Sequence, residues 1–232
     1  IITNPKTGVT SVTNAASFEG GRNTETDDEF RARYYVSTDF AGGVNLDAII
    51  AAIYENVEAV IAVTGEENDT DETNASGLPP HSIELVVYGG LDEEIAKAIH
   101  RRKGAGIQTF GNVTVPVVDA AGNIKNISFS RPAPVNVWVK VFNLQTDNTF
   151  PLDGIEQIKQ RLTEYIGSDT RGGLNIGQNV ICVALPTEVF KVQGVVDFDL
   201  QISPDGEAYS WQNITIAARE KAVTNEDMVV VE

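Results

Sequence analysis

The spacing of apolar side chains predicts two helices near the start of the chain. Thr26 and Glu29 form a capping box that opens the first helix, which runs to about Val36. Asn45 caps a second helix, in which apolar side chains recur at helical spacing. These side chains are Leu46, Ile49, Ile50, Ile53 and Val57. We therefore expect residues 1–56 to form an N-terminal arm followed by two helices.

Residues 57–134 predict a first α+β unit. Its predicted elements are strands over 57–64 and 82–88, an acidic loop over 65–77, a helix from Asp92 to Lys103 and a hairpin over 112–130. Acids in the first turn of this helix and bases in its last turn complement the helix dipole. The hairpin is indicated by a Gly/Asn turn between two strand-like runs. Two prolines make Arg131–Pro134 a short, stiff linker.

Residues 135–232 predict a second α+β unit. Its predicted elements are a strand over 135–142 with apolar and other residues alternating, a helix from Asp153 to Ile166, a helix over 177–191, strands over 195–202 and 214–217, and a short strand within 227–232. Runs of strand and helix that do not alternate regularly are typical of helices segregated from an antiparallel sheet. The predicted fold class is α+β: two small units of short, mostly antiparallel strands with helices packed on them, preceded by a helical segment.

Charge narrows the range of partners. The chain carries 33 Asp and Glu against 17 Lys and Arg, a formal net charge of −16. A field of this sign repels phosphate backbones and anionic membranes, so we expect neither as a partner. The acidity indicates either a surface that keeps the protein in solution or a partner with a basic face.

The single cysteine excludes an internal disulfide and a multi-cysteine zinc site. Cys182 lies in an apolar run and is expected to be a buried small hydrophobe. The sequence opens at Ile1 without an initiator methionine. We therefore expect that a further N-terminal domain is absent from this sequence.

Residues with catalytic or ligating potential are few. No phosphate-binding loop, nucleophile elbow or His-Glu-x-x-His motif is present. His81 and His100 are predicted at a strand start and in a last helical turn, and the acidic loop 65–77 lacks the order of an EF-hand. That loop either attracts a divalent cation or is a run of solvated charges. Its pattern favours the solvated run. Trp138 and Trp211 are either partner anchors or strand-packing residues.

Five segments, taken together and in order, resemble the baseplate J-like family of contractile tails. They are 8–33 with its Glu-Thr-Asp element and Arg-x-Arg, 57–68, 77–111 with Leu-Pro-Pro-His-Ser and Gly89-Gly90, Phe129-Ser130-Arg131-Pro132, and Gly194-Val195. Asn56 departs from the pattern, because the family has a glycine before the second segment. The segments span nearly the whole chain.

The resemblance implies a structural wedge protein of a tail baseplate, located in the virion tail and made in the bacterial cytoplasm. Such a protein links neighbouring wedges into a ring around the hub, so the implied partners are other wedge proteins and copies of itself in a six-fold assembly. A ring that changes diameter needs limited hinges, for which Arg131–Pro134 is suited. The family has no catalytic residues to transfer. We expect no enzyme activity, no catalytic, cofactor-binding or metal-binding residues, no cofactor, and no small-molecule substrate.

Two other functions compete with this one. A receptor- or carbohydrate-binding tail module would need an exposed aromatic cluster around a cleft, whereas the 17 aromatic residues are spread over the chain. A hydrolase domain carried on a tail would need a convergent acid pair or a nucleophile with a perturbed pKa.

Overall fold

The computed structural model describes residues 45–232 and has an α+β fold. The predicted arm, the predicted helix from Thr26 and the first family-like segment lie outside the described residues. The described part begins with Asn45, whose side chain accepts a hydrogen bond from the backbone N–H of Ala48 at 3.0 Å. This confirms the predicted N-cap.

The first half of the described chain forms one three-stranded sheet, a hairpin and two helices. Its elements are α1 (Leu46–Asn56), β1 (Val60–Asn68), β2 (Ser82–Gly89), α2 (Asp92–Arg102), β3 (Gln108–Phe110), β4 (Val113–Val118) and β5 (Ile124–Phe129). The sheet has the order β1-β2-β3, and β4 pairs with β5. The helix with acids at its start and bases at its end is confirmed as α2.

The second half forms another three-stranded sheet and a separate strand pair. Its elements are β6 (Ala133–Asn136), β7 (Trp138–Thr146), α3 (Gly154–Ile166), a 3₁₀ turn (Cys182–Ala184), α4 (Leu185–Val189), β8 (Val195–Ser203), β9 (Glu220–Val223), a second 3₁₀ turn (Glu226–Met228) and β10 (Val229–Val231). The sheet has the order β10-β7-β8, and β6 pairs with β9. The three antiparallel ladders are longer than the three parallel ones, so the predicted mostly antiparallel fold class is confirmed.

Two apolar cores lie one in each half. The first takes buried side chains from α1, β1, β2, α2 and the β4–β5 hairpin, and its Phe129 is fully buried. The second takes them from β7, β8, β10, α3 and α4. On α3 the buried residues Ile158, Leu162 and Ile166 follow helical spacing, which is why one face of this amphipathic helix lies on the sheet.

The acidic loop is shorter than predicted. Gly65 to Glu67 belong to β1, where Glu66 pairs with Glu84 across the ladder. The strand extends because Asn68 is buried and its side-chain amide donates hydrogen bonds to the carbonyls of Glu72 and Leu78, both at 2.8 Å. These bonds close the loop beyond the strand end, so only its later part is free of the sheet.

The helix predicted over 177–191 is wrong in extent. The structure has only the turn Cys182–Ala184 and the five-residue α4, in which Pro186 stands at the start of the helix. The backbone of Val180 instead pairs with Ile214, and the N–H of Cys182 donates to the Asn213 side chain at 2.9 Å. These bonds take the donors that a longer helix would have used internally.

Two strand predictions also need correction. The strand predicted over 214–217 is reduced to the single bridge at Ile214, and the paired strand comes later, at β9. The predicted strand over 135–142 is divided at Val137, since β6 pairs with β9 and β7 pairs with β8. The alternation of apolar and other residues over 135–142 could not show that the backbone changes its partner strand at Val137. Among the helices of residues 45–232, none has both the length and the apolar character to cross a membrane.

Candidate functional site: the inter-core contact

A buried carboxylate lies where the two halves of the protein meet. Glu84 is in the middle of β2, and its side chain is 3% exposed. The guanidinium of Arg219 donates to both carboxylate oxygens, with Nε 2.9 Å from each and a terminal nitrogen 2.5 Å from Oε2. The hydroxyl of Ser130 donates to Oε1 at 2.5 Å. This fork-like ion pair joins residues 135 positions apart in the sequence.

Backbone pairing explains why these groups meet. The first six residues of β2 are all buried, so the strand is covered on both faces and the Glu84 side chain has almost no exposed surface. Ser130 follows β5 and pairs with β2, donating its N–H to the Leu85 carbonyl at 2.8 Å and accepting from the Val87 N–H at 2.9 Å. Arg219 immediately precedes β9, and its carbonyl accepts from the N–H of Ala133.

A second polar contact lies beside the first. Tyr88, near the end of β2, donates its hydroxyl proton to Asp169 at 2.7 Å. Burial, together with this hydrogen bond and the negative charge of Asp169, raises the pKa of Tyr88 well above its ordinary value. The tyrosine therefore remains a neutral donor across the usual pH range.

Lys221 lies next to the second polar contact. It is fully buried in β9, and its ammonium donates to the carbonyls of Gly172 and Leu174 at 2.8 and 2.7 Å. The same nitrogen lies 5.5 Å from the centre of the Tyr88 ring, which allows a cation–π interaction. Desolvation lowers the pKa of Lys221 to about 8. The lysine thus fixes the loop that carries Asp169.

Apolar side chains complete the contact. Ile176 of the second half packs with Ala62 of β1 and Val86 of β2, and Tyr88 lies against them. We call the whole arrangement the inter-core contact. It consists of Ala62, Glu84, Val86, Tyr88, Ser130, Asp169, Ile176, Arg219 and Lys221. Two polar contacts and an apolar one fix the halves in one relative orientation.

The predicted linker Arg131–Pro134 is held along its length. The Arg131 guanidinium donates to the carbonyls of Val87, Gly89 and Gly90 at 2.6 to 3.0 Å, and to the Asp92 carboxylate. From Ala133 onwards the backbone is paired in β6. These contacts oppose the hinge that was expected at this stretch.

The side chains singled out from the sequence lie apart from the inter-core contact. His81 is exposed and bonded to Asp71 of the acidic loop at 2.8 Å, while His100 lies in the last turn of α2. Cys182 is buried as predicted, and burial raises the pKa of its thiol to about 11. Trp211 is half-exposed. Trp138 in β7 lies against Gly206, as expected for strand packing.

Few features of the sequence indicated which residues form the inter-core contact. One signal was present: Glu84 is the sole charged residue in the apolar run 82–88, and a charge in a fully buried strand requires a partner. Nothing local indicated that this partner would be Arg219. Among residues 45–232, no group of three or more His, Cys, Asp or Glu side chains could hold a metal ion.

No protein-family model matches the chain, and a comparison with curated proteins gives no match.

Proposed function

We propose that this protein is a structural wedge component of a contractile tail baseplate, linking neighbouring wedges into the ring around the hub. The reason for naming that particle is that five segments of the sequence, in the family's order, resemble the baseplate J-like family. Its proposed partners are other wedge proteins and copies of itself, and its proposed location is the virion tail. The proposal assigns it no catalytic role.

One observation carries the proposal furthest: the third family-like segment, which is the most specific of the five, contacts the fourth in space. Glu84, Tyr88 and Gly89 belong to the third segment, and Ser130 and Arg131 to the fourth. Ser130 binds the Glu84 carboxylate, and Arg131 binds three carbonyls at the end of β2. Residues that look like a family signature thus supply the first-half side of the inter-core contact. Its second-half side, with Arg219, Asp169 and Ile176, lies outside the five segments.

The geometry supports a mechanical role for that contact. A ring subunit transmits movement between its neighbours, and it does so only if its own parts do not slip. The bidentate pair of Arg219 with Glu84 and the fixed stretch at Arg131 oppose such slippage. In this proposal the subunit moves as one body, and the ring changes diameter at contacts between subunits.

Deletion of the gene from the phage or prophage that encodes the chain tests the proposal. Lysates are examined by negative-stain electron microscopy, with the wild-type gene supplied in trans as the control. A wedge component predicts loss of complete tails and their recovery on complementation. Normal tails with full infectivity would exclude the role, and intact tails that fail to adsorb would indicate receptor binding instead.

A further inference from the structure

The second apolar core is open at one end. On α3 the buried face continues to Ile155, one turn before Ile158, yet Ile155 is exposed. On β8, Val195 and Phe198 pack on the second core, whereas Val196, the extra residue where the pairing with β7 shifts register, is 56% exposed. Each element therefore begins with an exposed apolar side chain next to side chains that pack on the core.

The starts of α3 and β8 lie close together. Thr146, the last residue of β7, pairs with Val195, the first of β8, and a short loop leads from β7 to the start of α3. In that loop Phe150 contacts Gly154 of α3 and Gly194 before β8 so closely that neither glycine has room for a side chain. The loop thus joins the start of α3 to the start of β8.

Two further apolar side chains lie at this end. Leu152, in the same loop, is fully exposed. Phe190 follows α4, which packs on α3, and its ring lies 4.8 Å from the ring of Phe198 while remaining half-exposed. We call this surface the open end. It consists of Leu152, Ile155, Phe190 and Val196. A half-buried aromatic ring among aliphatic side chains is typical of a binding anchor.

Acidic groups surround the open end. They are Asp147, Asp153, Asp197 and Asp199, all exposed. Within residues 45–232 their hydrogen-bond partners are neutral: Thr149, Gln157, the Phe198 backbone and Asn143 respectively. The nearby bases Lys159 and Lys191 are paired with Glu156 and Glu188. The surface therefore combines an apolar centre with an unbalanced negative border.

This border indicates the kind of occupant. A second copy placed on the same surface would bring acidic border against acidic border, and like charges at an interface oppose association. A partner with basic residues around apolar ones satisfies both parts of the surface. We propose that the open end is the docking surface for a protein segment in which apolar side chains are flanked by lysine or arginine. The surface is defined independently of the baseplate proposal.

A peptide selection tests this docking surface. The probe is a displayed library of random peptides of about 12 residues, long enough for several side-chain anchors, selected on residues 1–232. The open-end variant carries Leu152→Ser, Phe190→Ser and Val196→Thr. The control variant carries Val118→Thr and Ile124→Thr, which remove a facing pair of exposed apolar side chains at the tip of the β4–β5 hairpin. Circular dichroism and thermal unfolding verify that both variants fold.

The proposal predicts enriched peptides with aromatic or aliphatic anchors flanked by Lys or Arg. Their affinity, measured by fluorescence polarisation, falls at least ~10-fold on the open-end variant and stays unchanged on the control. It also falls as NaCl rises from about 50 to 300 mM, because salt screens the charged border.

Three results would overturn the proposal. The first is an absence of enrichment, or enriched peptides that bind the open-end variant as tightly as the wild type. The second is enrichment of acid-flanked peptides. The third is concentration-dependent self-association in sedimentation that the open-end variant abolishes, which would make a second copy the occupant.

Discussion

The guanidinium of Arg219 compensates a carboxylate that is almost fully buried, so replacing Arg219 with glutamine is expected to destabilise the fold. The substitution removes both hydrogen bonds from Nε and the shorter one from the terminal nitrogen. Glu84 would then keep only the bond from Ser130 within this network. A carboxylate in that position is short of both hydrogen bonds and positive charge.

The size of the effect follows from burial. Removing one partner of a buried ion pair costs about 3–5 kcal/mol, because the remaining charge is left without compensation. The Arg219 side chain is 41% exposed, so water can reach part of the space that it leaves. We therefore expect the lower end, about 3 kcal/mol for Arg219→Gln. Glu84→Gln should cost less, about 1–2 kcal/mol, since the freed guanidinium can turn towards water.

Urea unfolding of four proteins measures the coupling. They are the wild type, Arg219→Gln, Glu84→Gln and the double variant. The double variant should be more stable than the sum of the single effects predicts, with a coupling energy of about 1–3 kcal/mol. Lys97→Gln is the matched control, because Lys97 forms an exposed helical pair with Glu93, and its loss should cost less than about 0.5 kcal/mol.

The reasoning would be refuted if Arg219→Gln cost no more than Lys97→Gln, or if the two single effects simply added. Either result would mean that the buried carboxylate does not depend on Arg219. The inter-core contact would then rest on the hydrogen bond of Tyr88 with Asp169 and on the apolar part around Ile176.

Three further predictions follow from the same structure. Burial lowers the pKa of Lys221 to about 8, below the pKa of a lysine in the unfolded chain. Between these two pKa values the unfolded state binds more protons than the folded state, so the free energy of unfolding rises with pH in that range. From about pH 8 to pH 10 the gain should be about 2 kcal/mol; urea unfolding should show it in the wild type, and an equal gain in Lys221→Met would contradict the assignment. Gly89→Ala should destabilise the fold far more than Gly122→Ala. Both residues have a positive φ, but a Cβ at Gly89 would lie 2.2 Å from the Ala59 carbonyl oxygen, whereas Gly122 faces open space. Equal melting temperatures of the two variants would contradict this. The Cys182 thiol should react with a thiol reagent only when urea unfolds the chain, since it is buried and its pKa is raised to about 11; rapid labelling of the native protein would contradict it.

Local chemistry made much of the fold predictable. The Asn45 cap, the charge distribution of α2 and the Gly/Asn turn of the β4–β5 hairpin each act within a few residues. Each was predicted from the sequence, and each is confirmed. The helix predicted from Asp153 to Ile166 is confirmed as α3, and its buried residues Ile158, Leu162 and Ile166 follow helical spacing.

Contacts between distant residues were not predictable in this way. The parallel pairing of β6 with β9 and the ion pair of Glu84 with Arg219 depend on how the halves are placed. An apolar run within 177–191 predicted a helix, but the backbone of Val180 pairs with Ile214 instead of continuing a helix, so tertiary contacts override the local helix propensity. The inter-core contact was therefore not predicted from the sequence. The only indication was Glu84, a charged residue in a strand whose other residues are uncharged.

The most direct test of the proposed baseplate role is immunogold electron microscopy of a lysate from the strain that encodes the chain, with an antibody against this protein. The account predicts gold at the distal end plate of contractile tails, in both extended and contracted particles. Gold confined to fibres, or unlabelled particles beside abundant free protein, would contradict it.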